Sequence, residues 1–165
     1  MKNKSINMLI VALLMAGVMA VMLFVFIEDA HDKFEENITV DANGVTETLL
    51  EVRDLQLIPT QKSEYSVNLV CAASGDYYVY LDYIEEKDGG MKPFVVVNVS
   101  CDGKELYSGR LEELLDTDLV IEFEEKLEAD EPRVITFVYE MPYETGNEAQ
   151  GTYADFDIKL TINKS

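Results

Sequence analysis

Near its N-terminus the sequence carries an apolar segment long enough to cross a membrane. Residues 8–27 read MLIVALLMAGVMAVMLFVFI, with no charged or polar side chain among them. A helix of this length spans about 30 Å, which matches the hydrocarbon core of a bilayer. Lys2 and Lys4 precede the segment, whereas all 32 acidic residues of the chain follow it. The positive-inside rule therefore predicts a transmembrane signal anchor with residues 1–7 in the cytoplasm and the rest of the chain outside.

A cleaved secretory signal peptide is the alternative interpretation of this segment, and it would make the protein secreted. The apolar regions of signal peptides are usually about 7–15 residues long and end at a small-x-small site. The segment is longer than that, and cleavage after Ala20, at the weak site Val18-Met19-Ala20, would leave VMLFVFI as an apolar N-terminus. We therefore expect a single-pass protein of the cell membrane whose C-terminal domain is extracellular.

The charge of the chain disfavours several classes of partner. The formal net charge is −19, and the sequence isoelectric point is about 4.2. A field of this sign repels nucleic acid and anionic lipid, so we expect no nucleic-acid partner. It suits a solvated exterior, divalent cations or a basic partner.

Residues 28–47 are polar and acidic, with a turn signal at Asn43-Gly44, and we interpret them as a stalk between the membrane and a folded domain.

Residues 48–165 carry the alternating pattern that is typical of β-strands. Between residues 152 and 162, apolar and polar side chains alternate strictly, which predicts a strand with one buried face. Similar runs of about strand length are separated by turn signals that contain Gly, Asp or Asn. The further strand candidates are residues 48–58, 64–72, 77–86, 94–101, 118–123 and 132–140. Seven or eight short strands at this spacing predict one all-β domain with a two-sheet sandwich.

Three local signals make finer predictions. The alternation changes phase between Val52 and Leu55, which indicates a β-bulge or a break between two short strands. Asp102-Gly103 lies between two strand-like runs and predicts a tight hairpin. Residues 110–115, with the sequence RLEELL, are the one segment of the domain that resembles a helical turn.

The sequence contains no recognisable catalytic motif, and we predict that the protein is not an enzyme. There is no HExxH, GxSxG or glycine-rich phosphate loop, and the single histidine cannot provide a histidine-pair zinc site. Cys71 and Cys101 are candidates for a disulfide, because an extracellular compartment is oxidising. Two reduced, buried cysteines are the alternative.

Calcium is the one ion that the oxygen-rich turns would suit, although ordinary solvated turns give the same pattern. The candidate ligands are Asp41, Asn43, Glu85, Glu86 and Asp88, and a second acidic cluster is formed by Asp116 and Asp118. No other cofactor is expected.

Tyr78 and Tyr80 share the more polar face of a tyrosine-rich strand with Asp82, and they could form an aromatic binding platform or pack at a sheet edge.

Several short motifs resemble the TasA/camelysin family of bacterial exported cell-surface and biofilm-matrix proteins. The segment VFIEDAHDKFEENITV follows the apolar run, and VNVSCDGKELYSGRLEEL is similar to the family's strand, DG hairpin and helical turn. Met141-Pro142 precedes a turn that reads GNEAQG before the final strand, and this turn is similar to a motif typical of the family. Its family-motif residues are Gly146, Asn147, Gln150 and Gly151.

This resemblance implies a jelly-roll-like antiparallel β-sandwich that forms matrix or surface fibres. Family subunits join by donating an N-terminal strand to a neighbouring sheet, so we expect partners that are copies of this chain or related subunits. The acidic stalk is poor in β-branched residues before Ile38, which argues against its use as that strand. A membrane-tethered binding or sensing module is the alternative function. A metallopeptidase, as described for camelysin, is the least favoured, because no zinc motif is present.

Overall fold

A computed structural model describes residues 33–41 and 45–165, and these residues form nine strands and one short α-helix. Two 3-10 helices lie at Lys92–Phe94 and Asn147–Ala149. The other elements are β1 (Lys33–Val40), β2 (Val45–Leu55), β3 (Lys62–Cys71), β4 (Gly75–Gly89), β5 (Val96–Cys101), β6 (Lys104–Arg110), α1 (Leu111–Asp116), β7 (Val120–Leu127), β8 (Arg133–Glu140) and β9 (Tyr153–Lys164).

The strands form two sheets that pack face to face. The five-stranded sheet has the order β1-β3-β8-β5-β6, and the four-stranded sheet has the order β2-β9-β4-β7. Every neighbouring pair is antiparallel except β1 and β3, which run parallel. The prediction of an all-β sandwich with mostly antiparallel sheets is therefore confirmed. The apolar segment of residues 8–27 lies outside the described residues, and none of the described helices has the length and apolar character needed to cross a membrane.

The core lies between the inner faces of the two sheets, where alternate residues of most strands are buried. Its centre is aromatic: the rings of Tyr139 and Phe156 lie 5.5 Å apart, and Tyr83 stacks on Phe156 at 5.8 Å. Tyr65 meets Tyr139 edge to face at 5.6 Å. The hydroxyl oxygens of Tyr83 and Tyr139 lie 3.4 Å apart, and burial raises the pKa of both groups above the usual range of tyrosine. Such a core joins the sheets through apolar area and ring geometry rather than through charge.

The three local predictions are confirmed by the backbone. The pairing of β2 with β9 shifts register between Val52 and Leu55, and Asp54 has a φ of 52° there. Asp102 and Gly103 connect β5 to β6 with φ values of 47° and 78°, which is the left-handed pair that a two-residue hairpin of type I′ requires. The helical turn predicted at residues 110–115 corresponds to α1, which begins at Leu111 and has Leu111 and Leu114 buried.

The interpretation of residues 28–47 as a stalk is wrong from Lys33 onward. Residues 33–40 form β1, and β2 begins at Val45, three residues before the predicted start of the sandwich domain. Ile38 and Val40 point into the core, whereas the polar residues Asn37 and Thr39 point outward. Burial of Ile38 and Val40 therefore stabilises the strand, although no β-branched residue precedes Ile38 in it. Residues 28–32 lie outside the described part.

Candidate functional site

The parallel strand β1 forms one edge of the five-stranded sheet. Its residues pair with β3 in a continuous register in which Glu35 lies opposite Ser66 and Asn37 opposite Asn68. No described strand pairs with the other side of β1. An edge of this kind presents backbone donors and acceptors that a further strand can use. We therefore take the β1–β3 edge as the candidate functional site.

The inner side of β1 contributes apolar side chains to the core. Ile38 is 7% exposed and Val40 is completely buried. Burying one such side chain stabilises a protein by roughly 1.5–3 kcal/mol. At the end of the strand, the backbone N–H of Ala72 donates a hydrogen bond to the carbonyl of Val40 at 3.3 Å. Strand β1 is therefore an integral part of the packed core, although it lies at the edge of the sheet.

The outer side of β1 is held by one side chain of β3. The amide nitrogen of Asn68 donates hydrogen bonds to Glu35 Oε1 at 2.6 Å and to Asn37 Oδ1 at 3.0 Å. Glu35 and Asn37 are two residues apart and project from the same face of β1, so Asn68 contacts both only in this register. Hydrogen bonds to a charged acceptor are stronger than neutral ones. Asn68 thus fixes the alignment of β1 on the sheet.

Of the two alternatives for Cys71 and Cys101, the structure has the pair of free, buried thiols rather than the candidate disulfide, because strand β8 separates the two residues. Cys71 ends β3 and Cys101 ends β5, which flank β8 on opposite sides. Neighbouring strands lie about 4.8 Å apart, so two strand spacings exceed the roughly 7 Å that a disulfide can bridge between Cα atoms. Burial raises the pKa of both thiols, that of Cys101 to about 11.

Two of the calcium candidates lie together, and a lysine occupies the space between them. Lys92 Nζ lies 2.6 Å from Glu85 Oε2 and 2.6 Å from Asp116 Oδ1, and 3.7 Å from Asp88 Oδ2. The hydrogen bonds to Asp116 and Glu85 raise the pKa of Lys92 above its usual range, so the ammonium group stays charged. The acidic residues of β4 and α1 therefore surround the ammonium group of Lys92, which takes the place that a bound cation would need.

The remaining calcium candidates lie apart from this cluster. Glu86 is exposed at the point where the pairing of β4 with β9 shifts register. The backbone N–H of Asp41 donates to Thr46 Oγ1 at 3.1 Å, and Asn43 lies outside the described residues. Among the residues that the structure describes, no group of three or more His, Cys, Asp or Glu side chains could hold a metal ion.

The family-motif turn lies between two shallow grooves at the end of the sandwich where β8 ends and β9 begins. Gln150 Nε2 donates to Asn147 Oδ1 at 3.2 Å, and Gly151 has a φ of 73° that favours glycine. A groove of about 450 Å³ has Gly146 in its lining, and one of about 430 Å³ is lined by Gln150 and Gly151 together with residues 56–59 and 61. Their walls contain several apolar residues but no cluster of reactive groups.

Tyr78 and Tyr80 lie on the outer face of the four-stranded sheet, as predicted. Both side chains are half-buried, and Asp82 follows them on the same face. Tyr80 lies opposite Glu122 on β7, and desolvation and this carboxylate raise the pKa of the phenol. The alternate residues of β4, from Tyr77 to Tyr83, are buried in the core.

Sequence reasoning missed β1, the role of Asn68 and the Lys92 cluster. The spacing of Ile38 and Val40, with polar residues between and before them, is a short period-two signal that identifies β1 in retrospect. The Lys92 cluster joins residues that are up to 31 positions apart and depends on how α1 packs beside β4. No local pattern in the sequence encodes that contact.

Comparisons with known proteins do not identify a family. No family model and no curated protein matches the chain. The lysozyme inhibitor PliG of Aeromonas hydrophila aligns at 13% identity over 79% of this chain and 99% of its own, with a TM-score of 0.38. A β-glucosidase of Paenibacillus barengoltzii aligns at 11% identity over 74% of this chain, with a TM-score of 0.38, and this chain spans only 11% of its length. The Cry4Aa toxin of Bacillus thuringiensis aligns at 12% identity over 77% of this chain and 25% of its own, with a TM-score of 0.39. TM-scores this low support no argument about function.

Proposed function

We propose that this protein is a non-enzymatic, membrane-anchored component of the cell surface whose copies associate by β-strand addition. In this proposal residues 8–27 anchor the chain, and the extracellular sandwich is a jelly-roll-like subunit that resembles the TasA/camelysin group. The observation that carries the proposal is the position of β1, a parallel edge strand that pairs with β3 and with no other strand in the described part of the chain. A strand in this position can leave its own sheet and enter that of a neighbour.

Strand exchange conserves the contacts of β1, because the same contacts form again in the acceptor. Without β1, the outer edge of β3 has unpaired backbone groups, and the sites of Ile38 and Val40 in the core are open. A β1 strand from a second copy restores the backbone pairing, both apolar contacts and the hydrogen bonds of Asn68. Exchange of an identical element costs little free energy, so concentration decides between the closed monomer and the assembly. If each copy donates to the next, the association is head to tail and generates a fibre.

The proposal is tested by changing the inner side of β1 in the full-length chain, purified in a neutral detergent. We expect the wild-type protein to form fibres that electron microscopy detects, and Ile38→Asp to abolish them because a carboxylate cannot enter the core unpaired. Thr39→Asp is the matched control, because Thr39 is exposed on the opposite side of the same strand. Fibres of equal abundance in all three proteins, or no fibres from the wild type, would contradict the proposal.

A competing peptide keeps the test valid if Ile38→Asp unfolds the domain. The peptide KFEENITV has the sequence of β1. In excess over the wild-type chain, it should occupy the edge of β3 and shorten the fibres, whereas a scrambled peptide of the same composition should have no effect. Equal effects of the two peptides would exclude a specific strand-accepting edge.

The alternative function, a tethered binding or sensing module, is favoured by the outer face of β4. Tyr78 and Tyr80 are two residues apart on this face, half-buried, and lie opposite Glu124 and Glu122. Replacing both tyrosines with serine tests this function. Loss of adhesion to a surface ligand with an unchanged melting temperature would support a binding platform, whereas a lower melting temperature alone would assign the rings to packing.

A further inference from the structure

The outer face of the five-stranded sheet has an uncharged centre. Thr136 on β8 lies between Ser66 on β3 and Ser100 on β5, and all three side chains are half-buried. The neighbouring positions on this face are Asn68, Val134 and Asn98. These six residues, which we call the neutral face, are small and carry no charge. A centre of this kind is unusual on a chain with a net charge of −19.

Charged side chains on the same sheet surround the neutral face. Glu35 lies on the edge strand β1, where its carboxylate accepts a hydrogen bond from Asn68. Lys62 and Glu140 form an ion pair of 2.7 Å at one end of the sheet. Glu64 lies beside that end, and Glu105 is on the opposite edge strand. The charged side chains of this sheet therefore lie around the neutral face and not within it.

The outer face of the four-stranded sheet differs in charge. One row across its four strands contains Glu47 on β2, Thr161 on β9, Tyr80 on β4 and Glu122 on β7. One row further along, Lys159 lies opposite Asp82. Acidic side chains are thus distributed over this face. Two copies that approach each other through it bring like charges together, which costs free energy.

We propose that the neutral face packs against the neutral face of a second copy of this chain. It is the sheet surface on which two strongly acidic domains can meet with the fewest opposed carboxylates. The contact is isologous, because the same surface serves both copies, and the short side chains allow the two sheets to approach to about 10 Å. Serine, threonine and asparagine side chains supply hydrogen bonds across it, and Val134 supplies apolar area.

The size of the surface predicts a weak contact. The whole outer face of the five-stranded sheet, which includes the neutral face and the charged residues around it, has five strands about 4.8 Å apart and about eight residues long, so it covers roughly 600 Å² per copy. Full overlap of two such sheet faces buries about 1,200 Å², the lower end of the range for specific interfaces, and the neutral face is only the central part of that area. One contact therefore forms only at high concentration. The role of this contact in a fibre rests on the proposed function. There it would join two fibres side by side, because many weak contacts along two aligned fibres add up to stable bundling.

The test separates this contact from strand exchange by locking β1 in its own sheet. Thr39 and Val70 are register partners, so Thr39→Cys and Val70→Cys in one full-length chain form a disulfide that prevents donation of β1. In neutral detergent, sedimentation velocity of the locked protein should show a concentration-dependent dimer. Thr136→Lys should raise the dimer dissociation constant at least about tenfold, because it places an unpaired charge in the contact.

Thr161→Lys is the matched control, since Thr161 is also a half-buried, outward-facing threonine on an interior strand. It should leave the dissociation constant within about twofold of the locked parent. Ser100→Lys provides a second disrupting variant if Thr136→Lys lowers the melting temperature. A locked protein that stays monomeric, or equal effects of the two threonine variants, would overturn the proposal. Binding of a monomeric locked protein to cell-wall polysaccharide would overturn it too, by assigning the neutral face to another partner.

Discussion

The side-chain amide of Asn68 on β3 donates a hydrogen bond of 2.6 Å to the carboxylate of Glu35 on β1. This bond links the strand at the edge to the sheet behind it on the side that faces solvent. A slip of one residue along β3 would carry Glu35 away from Asn68 and turn Ile38 from the core to the outer face. The polar contact and the apolar contacts of β1 therefore require the same register.

Removing the amide of Asn68 should loosen β1 without unfolding the sandwich. We expect Asn68→Ala to weaken the docking of β1 by about 1–2 kcal/mol, because it removes two exposed hydrogen bonds, to Glu35 and to Asn37. Hydrogen exchange should accelerate in the amides of β1 and remain unchanged in β9. Asn98→Ala is the matched control: it removes a similar contact, from Ser108 Oγ to Asn98 Oδ1 at 2.7 Å, at the opposite edge. Equal acceleration of β1 in both variants would contradict the assigned role of Asn68.

Lys92 should contribute more to stability than the other ion-paired lysines of the surface. Its side chain is 15% exposed and contacts both Glu85 and Asp116, so Lys92→Ala leaves two carboxylates without their cation. We expect a loss of about 1–2 kcal/mol in the free energy of unfolding, measured by urea denaturation. Lys126→Ala is the control, because Lys126 is 70% exposed in its pair with Glu128. A loss no larger than that of Lys126→Ala would show that the cluster has no stabilising effect.

Burial of Cys101 should make the domain less stable at alkaline pH. Its pKa is raised to about 11 from the usual 9.0, chiefly by desolvation. Between pH 8 and pH 10 the thiol therefore ionises in the unfolded chain while it stays protonated in the folded one, and the free energy of unfolding falls. The wild type should lose roughly 1 kcal/mol more than Cys101→Val over this interval. Parallel pH profiles of the two proteins would show that the thiol is not protected from ionisation.

Gly103 should be required for its backbone conformation rather than for space. Its φ is 78°, and a Cβ added there meets no atom within 4 Å. We expect Gly103→Ala to lower the free energy of unfolding by roughly 1–2 kcal/mol, the cost of a left-handed residue with a side chain. Gly103→Asn should cost less, because asparagine tolerates this region. The melting temperatures of the two variants are compared by thermal denaturation. Equal melting temperatures for Gly103→Ala and Gly103→Asn would exclude the backbone explanation.

The features predicted correctly from the sequence are those that depend on neighbours along the chain. The phase change near Val52 and the type I′ turn at Asp102-Gly103 follow from local spacing and from the conformational preference of glycine. The strand of residues 152–162 follows from strict alternation and corresponds to β9. Each of these signals acts over a few residues, so tertiary structure cannot easily override it.

The features that were missed depend on contacts between distant parts of the chain. Strand β1 has a weak pattern of its own and becomes a strand because β3 offers it an edge and a place for Ile38 and Val40 in the core. The choice between a disulfide and two free thiols, which the sequence left open, is made by strand order, since β8 lies between Cys71 and Cys101. The convergence of Glu85 and Asp116 on Lys92 depends in the same way on the packing of α1. Strand order in a sandwich is set by global packing, which the local pattern does not encode.

Exchange of β1 between chains is measured most directly by a disulfide that can form only between two copies. Thr39→Cys is placed in one full-length chain and Val70→Cys in another that carries a different tag, and the two are expressed together. Because these positions are register partners, the account predicts a mixed disulfide that contains both tags. Each single variant expressed with the wild type controls for background from the native thiols. If disulfides form only when both substitutions are in one chain, β1 stays in its own sheet and assembly by strand addition is contradicted.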